Sequence, residues 1–183
     1  MLSYGDSKTS QNRWQPVLAS LVHTLQFGPS AVGGMGILAR SGTPIMTMAT
    51  LIDSDLASMV ITYSNRSQID YILLNEITYS GYDGTEYQPA LEYVLDALHV
   101  KYQNALIYVA MPWKRSCGGD CTDWKTRIGN VVAARSAWAR LGHDENIWLE
   151  GGDDGATMTT DGVHYSAAGV IECANQWKTV LGF

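Results

Sequence analysis

Residues 69–75 read IDYILLN, and residues 104–113 read NALIYVAMPW. Both stretches are nearly continuous runs of apolar side chains, a pattern typical of strands that other elements cover on both faces. Strands covered on both faces are characteristic of parallel sheets, whose strands are joined by crossover connections that usually contain a helix. We therefore predict that these two stretches belong to a mainly parallel sheet.

Shorter apolar runs predict further strands at residues 2–4, 30–35 and 146–150. Helical periodicity lies between the runs, at residues 88–102, 122–142 and 166–182. In residues 39–65, PIMTMATLI predicts a strand, whereas SDLASMVITYS fits either a helix or a strand. The chain has no internal repeat and no long linker, so the alternation predicts one three-layer α/β domain over residues 1–183.

Composition narrows the classes of partner. The 183 residues are 46% hydrophobic and only 16% charged, which favours a globular core over a disordered chain, and the net charge is −6. The acidic balance disfavours binding to nucleic acid or to an anionic membrane surface, because both need a basic patch. No apolar stretch is long enough to predict a membrane span, and the N-terminus lacks the pattern of a secretory signal. We therefore expect no nucleic-acid or membrane partner and a cytoplasmic location by default.

Three cysteines give no metal-binding pattern. Cys117 and Cys121 frame CGGDC, which could close into a small disulfide or hold two free thiols. Cys173 lies in an apolar stretch and is expected to be a buried thiol. A zinc site needs about four ligands close together, and no second Cys or His pair has suitable spacing. We expect neither a metal nor an organic cofactor.

Polar and small residues follow the predicted strands where a ligand would bind. In a parallel α/β sheet, ligands bind at the carboxyl ends of the strands. Ser7 follows the first strand, Gly33 and Gly34 follow the second, and Asn75 with Glu76 follows the third. These positions therefore converge on one crevice. Taken alone, Ser7 would be only a helix-capping residue.

A candidate base for a nucleophilic serine lies near the other end of the chain. Asp161 and His164 are three residues apart in TTDGVHYSAAG, just before the last predicted helix. In a short turn the carboxylate can accept a hydrogen bond from one imidazole nitrogen while the other nitrogen faces outward. That arrangement fixes the tautomer and stabilises the imidazolium, as a general base acting on a serine requires.

Together these blocks resemble the SGNH, or GDSL-type, hydrolase family. The resemblance rests on GDS at residues 5–7, the glycine turn AVGGMG, the apolar strand ending in Asn75, and the Asp-x-x-His spacing of Asp161 and His164. It covers nearly the whole chain, from Gly5 to His164. It implies a flavodoxin-like α/β/α fold and ester hydrolysis through a covalent acyl-serine.

The resemblance also implies a role for each matching residue. Ser7 would be the nucleophile and, through its backbone N–H, one oxyanion donor. The backbone of Gly34, with Gly33 as the neighbouring alternative, would be the second donor, and the Asn75 amide would be the third. Asp161 would orient His164, which would act as general base and then as general acid. The third block departs from the family pattern, with Leu73 in place of its glycine.

Several other polar residues are expected to have no part in the chemistry. Lys8 stands where the family has an apolar residue, and we expect it to be solvated, although its charge could also attract an anionic group. His143 with Asp144 and Glu145 is expected to form a solvated loop. The remaining candidates are expected to be a soluble glycine loop around Asp153 and Asp154, and aromatic packing that includes Trp113.

The sequence therefore predicts a serine ester hydrolase, or carboxylesterase, acting on small or short-chain acyl esters. A carbohydrate O-acetyl esterase is the alternative within the same class. Thioesterase and acyltransferase activity would use the same residues. A binding module without catalytic activity on a hydrolase fold is the alternative from a different class, favoured only by Leu73.

Overall fold

The computed structural model describes residues 1–5, 7–11, 13–23, 28–31, 63–75, 84–113, 122–149 and 157–183. The strands in these residues are β1 (Leu2–Gly5), β2 (Gly28–Ala31), β3 (Tyr71–Asn75), β4 (Leu106–Met111) and β5 (Ala139–Asp144). The α-helices are α1 (Ser7–Ser10), α2 (Trp14–Leu21), α3 (Gly84–Lys101), α4 (Thr122–Ala133), α5 (Glu145–Leu149) and α6 (Ala167–Val180). A 3₁₀ helix spans Tyr63–Gln68.

The five strands form one parallel sheet in the order β2-β1-β3-β4-β5. This order reverses direction between β1 and β3, and such a switch point opens a crevice at the carboxyl ends of the two strands. Gly5, the last residue of β1, lies opposite Asn75, the last residue of β3. The segments that follow both strands therefore leave the sheet side by side.

Apolar side chains cover both faces of the sheet. Along β3, Ile72 and Leu74 join the core cluster that α3 and α4 supply, whereas Leu73 joins the cluster that α2 and α6 supply. This alternation follows from the two-residue period of a strand, and the continuous apolar run follows from burial on both faces. The predicted three-layer α/β/α architecture with a mainly parallel sheet is confirmed.

The fifth strand lies elsewhere than predicted. Residues 146–150 were expected to be a strand, but Glu145–Leu149 forms α5. The strand is Ala139–Asp144, which was expected to continue the preceding helix to Gly142; that helix, α4, instead ends at Ala133. Pairing with β4 overrides the helix preference of Ala139, Arg140 and Leu141.

The helix at residues 145–149 begins because of the side chain before it. The Asp144 carboxylate accepts a hydrogen bond of 2.9 Å from the Asn146 backbone N–H and one of 2.8 Å from the Asn146 side chain. A carboxylate that accepts a backbone N–H two residues on is the geometry of a helix N-cap. This cap outweighs the strand preference of Ile147 and Trp148.

Several predictions fall on residues outside the described part of the chain. These are most of the element expected in residues 39–65, Gly33 and Gly34, Glu76, the Cys117 and Cys121 pair, and the loop around Asp153 and Asp154. Cys173 is described, and it is the buried thiol that was expected. Among the described residues, no helix combines the length and apolar character needed to cross a membrane.

Candidate active site

Two of the predicted site residues lie at the switch point between β1 and β3. Ser7 is the first residue of α1, beyond the end of β1, and Asn75 is the last residue of β3. Asn75 is completely buried. Gly34, the predicted second backbone donor, lies outside the described residues. The catalytic and oxyanion roles of these residues stay predictions.

Asp161 and His164 lie together in a short hairpin ahead of α6. Thr159 pairs with Tyr165 across the hairpin, and the Thr160 backbone N–H donates to the His164 carbonyl at 2.9 Å. Gly162, at the tip, has a φ of +78°, a backbone conformation that side chains other than glycine rarely adopt. The reversal of direction there brings the Asp161 carboxylate to the His164 ring.

The Asp161 carboxylate binds both the ring and the backbone of this turn. Its Oδ2 lies 2.6 Å from His164 Nδ1, and its Oδ1 accepts the backbone N–H groups of His164 and Val163 at 2.7 and 2.9 Å. The hydrogen bond from the His164 ring is the main reason that the pKa of Asp161 falls from 3.8 to about 2. An ionised carboxylate at Oδ2 makes Nδ1 a donor, so the lone pair of the ring lies on Nε2.

A buried ion pair involves Lys8, the residue that follows the predicted nucleophile in the chain. Lys8 Nζ donates to both carboxylate oxygens of Glu145, at 2.7 and 2.6 Å, and the side chains of the pair are 1% and 2% exposed. The Lys8 ammonium also lies 5.1 Å from the centre of the Tyr165 ring, within the range of a cation–π contact. The two ion-pair residues are 137 positions apart in the chain.

Hydrogen bonds continue from Glu145 into the interior. The Tyr165 hydroxyl donates to Glu145 Oε1 and accepts from Asn75 Nδ2 at 3.3 Å. Asn75 Oδ1 in turn lies 3.0 Å from His143 Nε2, and Trp148 Nε1 donates to His143 Nδ1 at 3.2 Å. We refer to Lys8, Glu145, Tyr165, Asn75, His143 and Trp148 as the buried polar network.

The indole of Trp148 determines the tautomer of His143. An indole N–H only donates, so His143 Nδ1 must be the unprotonated acceptor and Nε2 must carry the proton. Burial lowers the pKa of His143 from 6.5 to about 4, because the charged ring loses its hydration. The ring is therefore neutral, and its Nε2–H donates to Asn75 Oδ1.

Two predictions about this region were wrong. Lys8 is neither solvated nor able to meet an anionic group in solution, because it is 3% exposed and paired with Glu145. His143 and Glu145 do not lie in a solvated loop; both are 2% exposed. His143 belongs to β5; its partner Trp148 lies 5 positions away in the sequence, but its partner Asn75 lies 68 positions away.

One feature of the sequence pointed toward this network. Lys8 stands at a position where the family has an apolar residue. A lysine buried at such a position needs an acidic partner, because an unpaired buried charge is too costly. The sequence around Glu145 does not identify it as that acidic partner, and the sequence around Tyr165 does not identify it as a donor to Glu145.

The described residues give no indication of a metal centre. Among them, no group of three or more His, Cys, Asp or Glu side chains is placed to hold a metal ion. Cys173 Sγ lies 4.0 Å from His143 Nε2, and burial raises the pKa of this thiol well above its ordinary value. A thiol with a raised pKa is a poor metal ligand and a poor nucleophile.

The fold resembles solved structures of ester hydrolases, although no family model matches the sequence and no curated protein matches it. A protein described as a GDSL-like lipase, from Parabacteroides merdae, aligns over 99% of this chain and 94% of its own, with a TM-score of 0.68 and 13% identity. TesA aligns over 99% and 97%, with a TM-score of 0.65 and 15% identity.

A family two carbohydrate esterase from Clostridium thermocellum, in complex with cellohexaose, aligns over 99% of this chain and 64% of its own. Its TM-score is 0.70, and its identity is 16%. At such low identities the likeness shows the fold alone. The fold is that of the SGNH, or GDSL-type, hydrolases, as the sequence motifs predicted.

Proposed function

We propose that this chain is a serine ester hydrolase that cleaves small or short-chain acyl esters. The observation that carries the proposal is the 2.6 Å contact between Asp161 and His164 in the hairpin ahead of α6. The next residue, Tyr165, hydrogen-bonds to Asn75 at the carboxyl end of β3. The hairpin is therefore held at the edge of the sheet where Ser7 follows β1.

In the proposed reaction, the Ser7 hydroxyl attacks the acyl carbon of the ester. His164 Nε2 takes the serine proton, and the ionised Asp161 stabilises the imidazolium that forms. The tetrahedral intermediate collapses, the alcohol leaves with the proton from His164, and the acyl group stays on Ser7. Water then attacks the acyl-serine, with His164 again taking and returning the proton, and the carboxylic acid is released.

Negative charge on the tetrahedral oxygen needs hydrogen-bond donors. We assign this role to the backbone N–H groups of Ser7 and Gly34 and to the Asn75 amide, in line with the sequence resemblance. Asn75 Nδ2 uses one hydrogen for Tyr165, so its second hydrogen would serve the oxyanion. Losing one such donor costs a factor on the order of 10²–10³ in turnover.

The test compares wild type with Ser7→Ala on p-nitrophenyl esters of increasing acyl length. We expect Ser7→Ala to lose at least ~10³-fold in kcat, because the nucleophile is removed. A fluorophosphonate should label wild type at Ser7, as peptide mass spectrometry would show. Ser20→Ala, which changes an exposed serine of α2, should retain both properties. Unchanged hydrolysis by Ser7→Ala would exclude Ser7 as the nucleophile.

A carbohydrate O-acetyl esterase is the second candidate, and the fold comparison favours it specifically. Family two carbohydrate esterases recur among the similar structures, from Clostridium thermocellum and Cellvibrio japonicus. The comparison of kcat/KM for acetylated oligosaccharides with that for p-nitrophenyl acetate separates the two candidates. A preference of tenfold or more for the sugar ester would favour the carbohydrate esterase. No turnover of either substrate, and no labelling of Ser7, would favour a binding module.

A further inference from the structure

The Lys8–Glu145 ion pair has no place in the reaction proposed above, yet it is among the most buried polar contacts of the described residues. Each side chain is at most 2% exposed. Removing two charges from water is costly, and replacing a buried ion pair with apolar residues is often neutral or stabilising. Stability alone therefore gives little reason for an ion pair at this position.

The position of the pair in the chain suggests another reason. Lys8 follows Ser7 directly, and Tyr165 follows His164 directly. Both Lys8 and Tyr165 donate to the same carboxylate, that of Glu145. The segment that carries the proposed nucleophile and the segment that carries the proposed base are thus joined through one side chain of α5.

The direction of the donors adds a constraint on Asn75. Trp148 can only donate, so His143 donates to Asn75 Oδ1, Asn75 Nδ2 donates to the Tyr165 hydroxyl, and Tyr165 donates to Glu145. No member can turn around without leaving a buried donor or acceptor unpaired. The amide of Asn75 therefore has one orientation, with its nitrogen toward the residue beside His164.

Two further hydrogen bonds hold the same two segments. Arg13 Nη1 donates to the Tyr165 carbonyl at 3.1 Å, and Gln15 Nε2 donates to the Thr9 carbonyl at 2.8 Å. These bonds attach the hairpin and α1 to the start of α2. The Glu145 side chain contacts both Lys8 and Tyr165 and so connects α1 with the hairpin.

We propose that Lys8 and Glu145 are positioning residues. Through the buried polar network they hold Ser7, Asn75 and His164 in fixed positions relative to one another. This inference rests on the proposed esterase function for its kinetic consequences. The physical basis is that reactive groups must be held within a fraction of an ångström, and side chains fixed by buried hydrogen bonds provide that support. Neither residue touches the substrate.

The main test is the double variant Lys8→Met/Glu145→Gln. It removes both charges together, keeps similar side-chain lengths, and leaves an amide oxygen at residue 145 to accept from Tyr165. We expect Tm to fall by no more than a few degrees, kcat to drop 10- to 100-fold, and KM to change less than about threefold. Fluorophosphonate labelling of Ser7 should slow by a similar factor to kcat. A double variant with wild-type Tm, kcat and labelling rate would overturn the proposal.

The matched control is the surface ion pair between Arg135 and Asp96, which are 15% and 55% exposed. Arg135→Met/Asp96→Asn removes the same number and sign of charges and should leave kcat and KM unchanged. If the double variant of the buried pair fails to fold, Tyr165→Phe serves instead, because it breaks the link from Glu145 to Asn75 and keeps both charges. Tyr165→Phe should then lose about tenfold in kcat at nearly constant KM, and wild-type kcat in it would overturn the proposal.

A second readout separates this inference from the proposed function. The Nδ1 proton of His164, bonded to Asp161, should give a downfield proton NMR signal at low temperature. If wild type neither hydrolyses esters nor labels at Ser7, the proposed function fails, and this signal still tests the positioning role. Loss or broadening of the signal in a folded Lys8→Met/Glu145→Gln variant supports the role. An unchanged signal contradicts it.

Discussion

Asn75 is the last residue of β3, and its side chain lies in the interior of the protein. It is completely buried, accepts from His143 Nε2 at 3.0 Å, and donates to the Tyr165 hydroxyl at 3.3 Å. An uncharged amide suits this position because it offers a donor and an acceptor together without titrating. We therefore expect any change at residue 75 to affect folding as well as the proposed catalysis.

Asn75→Ala should lower both stability and turnover. The substitution leaves the His143 Nε2–H without its acceptor inside the protein, and an unpaired buried donor costs about 1–3 kcal/mol. If the amide also serves the oxyanion, kcat falls by a further factor on the order of 10²–10³. Urea unfolding and steady-state kinetics on the same preparation measure the two effects separately.

Thr9→Val is the matched control for Asn75→Ala. Thr9 Oγ1 donates to the backbone carbonyl of Asn75 at 3.2 Å, so the valine removes a buried contact to the same residue and leaves the amide in place. We expect a stability loss of about 1 kcal/mol and nearly unchanged kcat. Equal losses of kcat in the two variants would show that the amide has no specific role in turnover.

At the scale of single residues, the sequence predicted contacts between nearby residues better than it predicted which side chains are buried. The spacing of Asp161 and His164 predicted their contact, because the partners lie within one turn. It did not predict the burial of Lys8, Glu145 and His143, because the state of each depends on a partner 68 or more positions away. A charged residue has the same local pattern whether it meets water or a distant counter-ion.

At the scale of elements, the sequence predicted the buried strands β3 and β4 but missed β5, which follows β4 in the sheet. The continuous apolar runs of β3 and β4 follow from burial on both faces, so their composition identified them. Among the described strands β5 pairs only with β4, and Arg140 and Leu141 are exposed, so its composition resembles that of the preceding helix. The helix that follows depends on the Asp144 cap, which a pattern of apolar residues does not reveal.

α6 packs closely against the hairpin that carries His164, and this close contact gives a prediction for Gly169. A Cβ at Gly169 would lie 2.0 Å from the Met158 carbonyl oxygen, so the helix or the hairpin must shift. Gly169→Ala should therefore cost several kcal/mol or prevent folding, as overpacking against backbone does. Thermal unfolding measures the loss, and kcat of any folded protein shows whether the hairpin has moved.

Gly129→Ala is the same chemical change, but we expect it to have the opposite effect on stability. Gly129 lies within α4, and a Cβ there would meet nothing within 4 Å. Alanine should stabilise the protein by about 0.5–1 kcal/mol, because glycine is the poorer helix former. Similar changes in Tm at residues 129 and 169 would contradict the close approach of α6 to Met158.

At the scale of the whole molecule, the candidate site exists only once distant segments have come together. Lys8 and Glu145 are 137 positions apart, Asn75 and Tyr165 are 90 apart, and His143 and Asn75 are 68 apart. Each of these contacts must overcome the entropy of closing a long loop. The network therefore forms with global folding, and its protonation state is coupled to global stability.

His143 makes that coupling measurable. Its pKa is about 4 in the folded protein, against 6.5 for an exposed imidazole, so the unfolded chain binds more protons between these values. Stability from this group is fully present above pH 6.5 and is lost as the pH falls to 4. The linkage amounts to about 2 kcal/mol between pH 7 and pH 5, and to about 3 kcal/mol by pH 4.

His143→Gln isolates this contribution, because glutamine cannot titrate and the pH dependence of all other groups cancels in the comparison. Urea unfolding of both proteins at pH 7 and pH 5 gives the difference. We expect the stability advantage of wild type over the variant to shrink by about 2 kcal/mol at the lower pH. The depressed pKa of Asp161 acts only below pH 3.8, so it does not enter this window. A pH-independent difference between the two proteins would mean that the pKa of His143 is the same in the folded and unfolded states, and the burial of a neutral ring at this position would then be wrong.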